Sequence, residues 1–126
     1  MTREWEAALQ RGDVEALRRL LDKGEDVNLL DRYGQTSLMK AASAGRVDVV
    51  QLLIDRGADV NRTAKYHLTA LMLAVIAGHE SIVAALIAAG ADLTLTGSGA
   101  PGFAGMTARD LAEAAGRAAI VGLFPR

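Results

Sequence analysis

Apolar residues recur at helical spacing in short segments that are separated by glycine. In residues 14–21, the apolar side chains fall on one stripe of a helix and the charged side chains on the opposite stripe. This pattern predicts a half-buried helix of about Val14 to Leu21, preceded by a helix over roughly Glu4 to Gln10. Glycine stands between the two helices and again after the second, where the chain needs a residue that accepts a positive φ. We therefore expect pairs of short amphipathic helices.

The same pattern returns with a period of 33 residues. Residues 31–63 read DRYGQTSLMKAASAGRVDVVQLLIDRGADVNRT, and residues 64–96 read AKYHLTALMLAVIAGHESIVAALIAAGADLTLT, in register without a gap. Residues 1–30 fit the same register but lack the opening turn, as expected for an N-terminal capping repeat. Residues 97–126 are predicted to form a C-terminal capping repeat, which fits with an offset of 38 because about five residues are inserted near 97–105. The whole chain, 1–126, is thus predicted to be a single repeat domain, since one unit cannot bury its own apolar face.

The motif D-x-x-G-x-T-x-L-x-x-A-A-x-x-G, followed by V-x-x-L-L/I-x-x-G-A-D-V-N, resembles an ankyrin repeat. The family usually reads T-P-L-H at the first helix, whereas this chain has TSLM from Thr36, TALM from Thr69 and TARD from Thr107. The threonines are placed to cap the first helices, and Met39 and Met72 are expected to fill the boundary between repeats. The resemblance implies an all-α ankyrin-repeat solenoid of about four helix-turn-helix repeats, with short β-turn fingers between them.

Composition narrows the range of functions. The 126-residue chain is 51% apolar and has a net charge of −1. It therefore lacks the excess of positive charge that is typical of proteins that bind nucleic acid or an anionic membrane. The absence of cysteine excludes a disulfide, a thiolate metal site and a cysteine nucleophile. The longest apolar run, Ile82 to Ala89, is too short to cross a bilayer, and the charged N-terminus MTREWEAALQ lacks the apolar core of a signal peptide. We expect a cytoplasmic protein that binds neither nucleic acid nor membrane.

The sequence predicts no catalytic residue, cofactor or metal site. Gly97 to Gly102 fits the letters G-x-G-x-x-G, which leaves a nucleotide-binding enzyme as an alternative. That motif needs a buried strand before it and a helix that begins within the glycines, whereas Pro101 and a further loop precede Thr107. The two histidines, His67 and His79, have no ligand partner at metal-binding spacing, so we interpret both as structural.

By resemblance to ankyrin repeats, the partner of this chain is another protein, held by the concave face and the finger loops. Tyr33 and Tyr66 are the only tyrosines, and tyrosine is enriched at interface hot spots. The alternative for both is packing against a neighbouring turn. The positions that the resemblance assigns to partner contact are Arg32, Tyr33, Gln35, Ser43 and Ala44 in one repeat, and Lys65, Tyr66, Leu68, Ile76 and Ala77 in the next.

Two further alternatives remain open at the level of sequence. The outer face of the third repeat carries Ala84, Ala85 and Ala88. Alanine is the best helix former, which is sufficient to explain these residues, but they could instead form a surface for weak self-association. The regular repeats would also fit an engineered, consensus-like ankyrin scaffold. The missing proline and histidine, the inserted loop and a last helix that Gly122 interrupts argue against a designed origin.

Overall fold

The computed structural model describes residues 1–99 and 102–125. Within those residues the chain forms eight α-helices in four consecutive pairs, one 3-10 turn at Lys65–His67, and isolated β-bridges without a strand. The expectation of an all-α repeat fold is therefore confirmed. The helices are α1 (Arg3–Arg11), α2 (Val14–Asp22), α3 (Ser37–Ala44), α4 (Val47–Asp55), α5 (Ala70–Ala77), α6 (Glu80–Ala88), α7 (Ala108–Ala114) and α8 (Ala118–Val121).

The helix pairs stack in two layers. In the first layer α3 packs against α5 and α5 against α7, and in the second layer α2, α4, α6 and α8 pack in that order. One apolar core runs between the layers from Trp5 to Phe124. Met39 and Met72 are each only 1% exposed, so both belong to this core, and their role at the boundary between repeats stays a prediction.

Threonine begins the first helix of every repeat in the same way, and in the first repeat Thr2 accepts from the Trp5 amide at 3.2 Å. The hydroxyl groups of Thr36, Thr69 and Thr107 accept hydrogen bonds from the amides three residues later, at 3.1–3.2 Å. The Thr107 amide donates in turn to the Asp110 carboxylate at 3.0 Å, which completes a capping box. Asp110, the fourth residue of TARD, thus caps the N-terminus of α7.

Polar side chains connect each repeat to the one before it. In the second, third and fourth repeats, the residue after the inter-helix glycine donates from its side chain to a backbone carbonyl of the preceding repeat. The three bonds run from Arg46 Nη2 to Gln10 O at 2.7 Å, from His79 Nε2 to Ser43 O at 3.2 Å, and from Arg117 Nη2 to Ile76 O at 3.2 Å.

A second link joins the loops that follow the outer helices. The side-chain oxygen of Asn28 accepts from the amide of Asp59 at 2.8 Å, and that of Asn61 accepts from the amide of Asp92 at 2.6 Å. Both pairs are 31 residues apart, so the contact repeats with the architecture. These hydrogen bonds tie each loop to the loop of the preceding repeat.

The last repeat is short. Its first helix, α7, has 7 residues and its second, α8, has 4, and Gly122 follows directly. The inserted segment before it closes on itself, since the Gly97 amide donates to Met106 O at 2.9 Å and the Gly105 amide donates to Gly97 O at 3.0 Å. Among the described residues of this segment, no helix begins before α7, which starts at Ala108. Ala100 and Pro101, which belong to the G-x-G-x-x-G stretch, lie outside the described residues.

Candidate protein-interaction surface

The first finger, residues 31–35, is held by one aspartate. Asp31 Oδ1 accepts hydrogen bonds from the amides of Tyr33 at 2.8 Å and Gln35 at 3.0 Å. Its Oδ2 lies 2.9 Å from Lys40 Nζ on α3, and the Asp31 side chain is only 4% exposed. Gly34 provides the positive φ of 76° that the turn requires. The finger is therefore a fixed turn that is tied to the helix behind it.

The electrostatics of Asp31 agree with this geometry. Burial by itself would raise the pKa of the carboxyl group, but the Gln35 amide, the Lys40 ammonium and the Tyr33 amide all stabilise the charged form. The net result is a pKa below the ordinary aspartate value. Asp31 thus stays ionised, and the charge of Lys40 is neutralised in the fold.

Tyr33 projects from this fixed turn. Its side chain is 71% exposed, the largest exposed fraction among the large apolar side chains of the described residues. The Arg32 guanidinium carbon lies 5.3 Å from the centre of the Tyr33 ring, which is a cation–π distance. An exposed aromatic ring is thus presented beside a positive charge on a rigid support.

The second finger, residues 64–68, is built differently. Ala64 and Leu73 stand at the positions that Asp31 and Lys40 have in the preceding repeat, so both partners of the ion pair are replaced by apolar residues. The finger forms a 3-10 turn in which Tyr66 has φ 63° and His67 has φ 56°. Both are left-handed conformations that non-glycine residues rarely adopt. The fingers are therefore not identical β-turns, although they occupy equivalent positions.

The inserted segment of the last repeat holds the second finger in place. The Ser98 amide donates to Tyr66 O at 2.8 Å, and the Phe103 ring centre lies 6.1 Å from that of Tyr66 in a tilted arrangement. Lys65 Nζ lies 5.0 Å from the centre of the Tyr66 ring. With these neighbours, Tyr66 is only 37% exposed. Tyr66 therefore combines the two interpretations left open above, because it packs on a neighbouring turn and still reaches solvent.

We call the fingers and the exposed side of α3 and α5 the finger surface. Ile76 on α5 is 39% exposed there. A shallow cavity of about 390 Å³ lies between α1 and α3 and is lined by Glu6, Lys40, Ala44 and Arg46 among others. Of the ten predicted contact residues, Gln35 and Leu68 are half-buried, and the exposed ones are Arg32, Tyr33, Ser43, Ala44, Lys65, Tyr66, Ile76 and Ala77.

The three alanines on the outer face of α6 differ in their exposure to solvent. Ala84 and Ala88 on α6 are exposed, whereas Ala85 is half-buried. Ala85 occupies the position of Leu52 in the preceding repeat, which is buried. Only two of the three residues therefore offer a surface to a second copy, and self-association through α6 stays a prediction.

Two parts of the finger surface were not predicted from the sequence. The first is the pair of Asp31 and Lys40, which could have been found because both residues change together to apolar residues in the next repeat. The second is the contact of Phe103 with Tyr66, for which the repeat pattern holds no signal, because Phe103 lies in the insertion.

The surface contains no metal centre in the part of the chain that the structure covers. Among residues 1–99 and 102–125, no group of three or more histidine, aspartate or glutamate side chains is placed to hold a metal ion. None of the helices in those ranges has both the length and the apolar composition needed to cross a bilayer.

These features define the class: a solenoid of stacked helix pairs with turns that project from one side. The family model described as "Ankyrin repeats (3 copies)" matches residues 5–97, more than half of the chain. The chain therefore belongs to the ankyrin repeat family, whose members are generally protein–protein interaction modules and typically non-catalytic. No curated protein matches the chain. The last helix pair lies beyond the matched residues, and its stacking against α5 and α6 adds it to the solenoid.

Proposed function

We propose that this chain is a non-catalytic module that binds a partner protein through the finger surface. The observation that carries the proposal is Tyr33, which is 71% exposed on a finger fixed by Asp31 and Lys40. A large aromatic side chain gains free energy when a partner buries it. Tyrosine is also among the residues that contribute most to protein interfaces.

The distribution of exposed apolar side chains supports the same surface. Six large apolar residues are exposed within the described residues, and three of them, Tyr33, Tyr66 and Ile76, belong to the finger surface. Leu29 directly precedes the first finger, whereas Val47 and Leu123 lie outside it, on α4 and after α8. Apolar side chains that are grouped in this way mark an interaction site, whereas isolated ones need no explanation.

The rigidity of the first finger favours binding. A partner meets a turn whose backbone is already fixed by the Asp31 carboxylate and by the bridge between Leu30 and Thr36. Association then orders few additional groups, so less of the contact free energy is spent on ordering. The carboxylates that recur along the chain, such as Asp59 and Asp92, accept hydrogen bonds from their own turn amides. That role supports a structural rather than a catalytic assignment for them.

The test is capture of partners from an extract of the source cell with the immobilised chain, followed by mass spectrometry. Tyr33→Ala is the informative variant, since the side chain makes few contacts within the fold. We expect it to lose the captured protein while its melting temperature stays close to that of the parent chain. Val47→Ala is the matched control, because Val47 is also an exposed apolar residue, 44% exposed, but lies on α4 in the outer layer. Capture that survives Tyr33→Ala would contradict the proposed surface.

A further inference from the structure

We propose that the partner segment seated on the fingers is acidic, with carboxylate side chains next to apolar ones. The inference rests on the proposed function and specifies the chemistry of the partner. It comes from the juxtaposition of two exposed cations, Arg32 and Lys65, with two tyrosine rings on a surface that exposes no carboxylate of its own across residues 31–44 and 64–77.

The finger surface has a net positive charge because its one carboxylate is already paired with a cation. Residues 31–44 and 64–77 contain three cations, Arg32, Lys40 and Lys65, and a single carboxylate, Asp31. Asp31 is 4% exposed and paired with Lys40 at 2.9 Å, so these two charges cancel. Arg32 and Lys65 remain exposed, and no carboxylate within the described residues lies at ion-pair distance from either.

The outer layer of the same two repeats has the opposite sign. Helices α4 and α6 carry the exposed carboxylates of Asp48, Asp55 and Glu80. Two arginines flank α4: Arg56 is paired with Asp22 at 2.8 Å, and Arg46 donates to Gln10 O, so carboxylates still outnumber unpaired cations there. An acidic segment is therefore attracted to the fingers and repelled by the outer helices, which orients it on the solenoid. A basic segment would be drawn to the outer layer instead.

The fingertips repeat the same arrangement of groups. Arg32 lies 5.3 Å from the Tyr33 ring centre, and Lys65 lies 5.0 Å from that of Tyr66. A glutamate or aspartate can pair with the cation while its neighbouring apolar residue packs on the ring. A neutral apolar segment would instead cover two cations without a counter-charge, which costs free energy of desolvation.

The tyrosine rings of the two fingers differ in how much of each is exposed to a partner. Phe103 covers one side of Tyr66, whereas Tyr33 is exposed and has only Arg32 beside it. We therefore expect the aromatic contact at Tyr33 to contribute more than that at Tyr66. The two cations act at both fingertips.

A random peptide library displayed on phage and selected on the immobilised full chain tests the proposal without knowledge of the partner. We expect the enriched peptides to contain more aspartate and glutamate than lysine and arginine, and their capture to require Tyr33. Binding of a synthetic peptide of the enriched sequence should weaken as sodium chloride is raised, because exposed ion pairs are screened. The variant with Arg32→Ala and Lys65→Ala should lose roughly 2- to 30-fold in affinity, the range for two exposed ion pairs.

The matched control removes two positive charges elsewhere. Arg19→Ala with Lys23→Ala changes the net charge equally, at exposed positions on α2 and its C-terminal cap. We expect this control to bind the peptide within about 2-fold of the parent chain, since charges beyond a Debye length are largely screened. An equal loss in both variants would mean a non-specific charge effect and would overturn the proposal.

The outcomes separate the two proposals. Enriched peptides that require Tyr33 but are neutral or basic would overturn the acidic partner and leave the proposed function intact. Peptides that still bind the Tyr33→Ala variant would contradict the finger surface itself. A selection that enriches no peptide would count against both proposals.

Discussion

The replacement of the family's proline by Ser37 creates a buried hydrogen bond that can be tested directly. Trp5 Nε1 donates to Ser37 Oγ at 2.7 Å, and both side chains are 1% exposed. The bond joins the capping repeat to the second repeat. Changing Ser37 to proline, the residue that the family pattern contains, would restore the pattern and remove the only acceptor that the structure assigns to the Trp5 indole.

Two opposing terms set the size of the effect. Proline suits the first position of a helix, and Thr36 before it is already extended at φ −83° and ψ 163°. A compatible proline stabilises by about 0.4–1 kcal/mol through the unfolded chain. A buried donor left without an acceptor costs about 1–3 kcal/mol. We therefore expect Ser37→Pro to destabilise the chain by roughly 1 kcal/mol, because the second term is larger.

The next repeat provides the control. Ala70 occupies the same helix position, is 2% exposed, and follows Thr69 in the same extended conformation, but no indole depends on it. Ala70→Pro should therefore gain the proline term alone. The two variants should differ by about 1–3 kcal/mol in the free energy of unfolding, measured by urea titration with circular dichroism.

A double-mutant cycle isolates the hydrogen bond. In a Trp5→Phe background the unpaired indole no longer exists, so Ser37→Pro should become neutral or stabilising. If Ser37→Pro and Ala70→Pro change the stability equally, or if the cost of Ser37→Pro persists with phenylalanine at position 5, the buried bond is not the cause.

Three further variants test the fingers and the helix ends by thermal or urea unfolding. Tyr33→Ala should stay within about 0.5 kcal/mol of the parent chain, whereas Tyr66→Ala, which loses its ring contacts, should cost about 1 kcal/mol or more; equal effects would contradict the described packing. Because the pKa of Asp31 is lowered in the fold, its carboxylate stabilises the folded chain above about pH 4, and this contribution is lost as the pH falls through the folded pKa. In the Asp31→Asn variant, the free energy of unfolding should therefore change less with pH in the acid range. Gly45→Ala should destabilise the chain more than Gly57→Ala. Both glycines have a positive φ, but only at Gly45 would the new Cβ collide with a side chain of the next repeat, since His79 Cε1 would lie 2.7 Å away. A larger loss of stability at Gly57 would refute this.

The repeat architecture was determined by the sequence alone. The period of 33 residues, the glycines that end helices and the threonines that begin them are local signals, since each depends on backbone geometry within one helix turn. They predicted the first two helices to within one residue at either end, as α1 spans Arg3–Arg11 and α2 spans Val14–Asp22. For Tyr33, the resemblance to ankyrin repeats implied a position available to a partner, and packing against a neighbouring turn remained the alternative.

Contacts between repeats were decided only by the tertiary structure. The links from Arg46 and His79 to the preceding repeat, and the packing of Phe103 on Tyr66, join residues whose distance apart in the folded chain does not depend on local pattern. The same holds for Ser37, whose hydroxyl meets the Trp5 indole 32 positions away. The period fixes which residues face a neighbouring repeat, but the side chains on both sides determine whether they bond. For that reason the two tyrosines, equivalent by sequence, differ in the fold: one is open and the other is half covered.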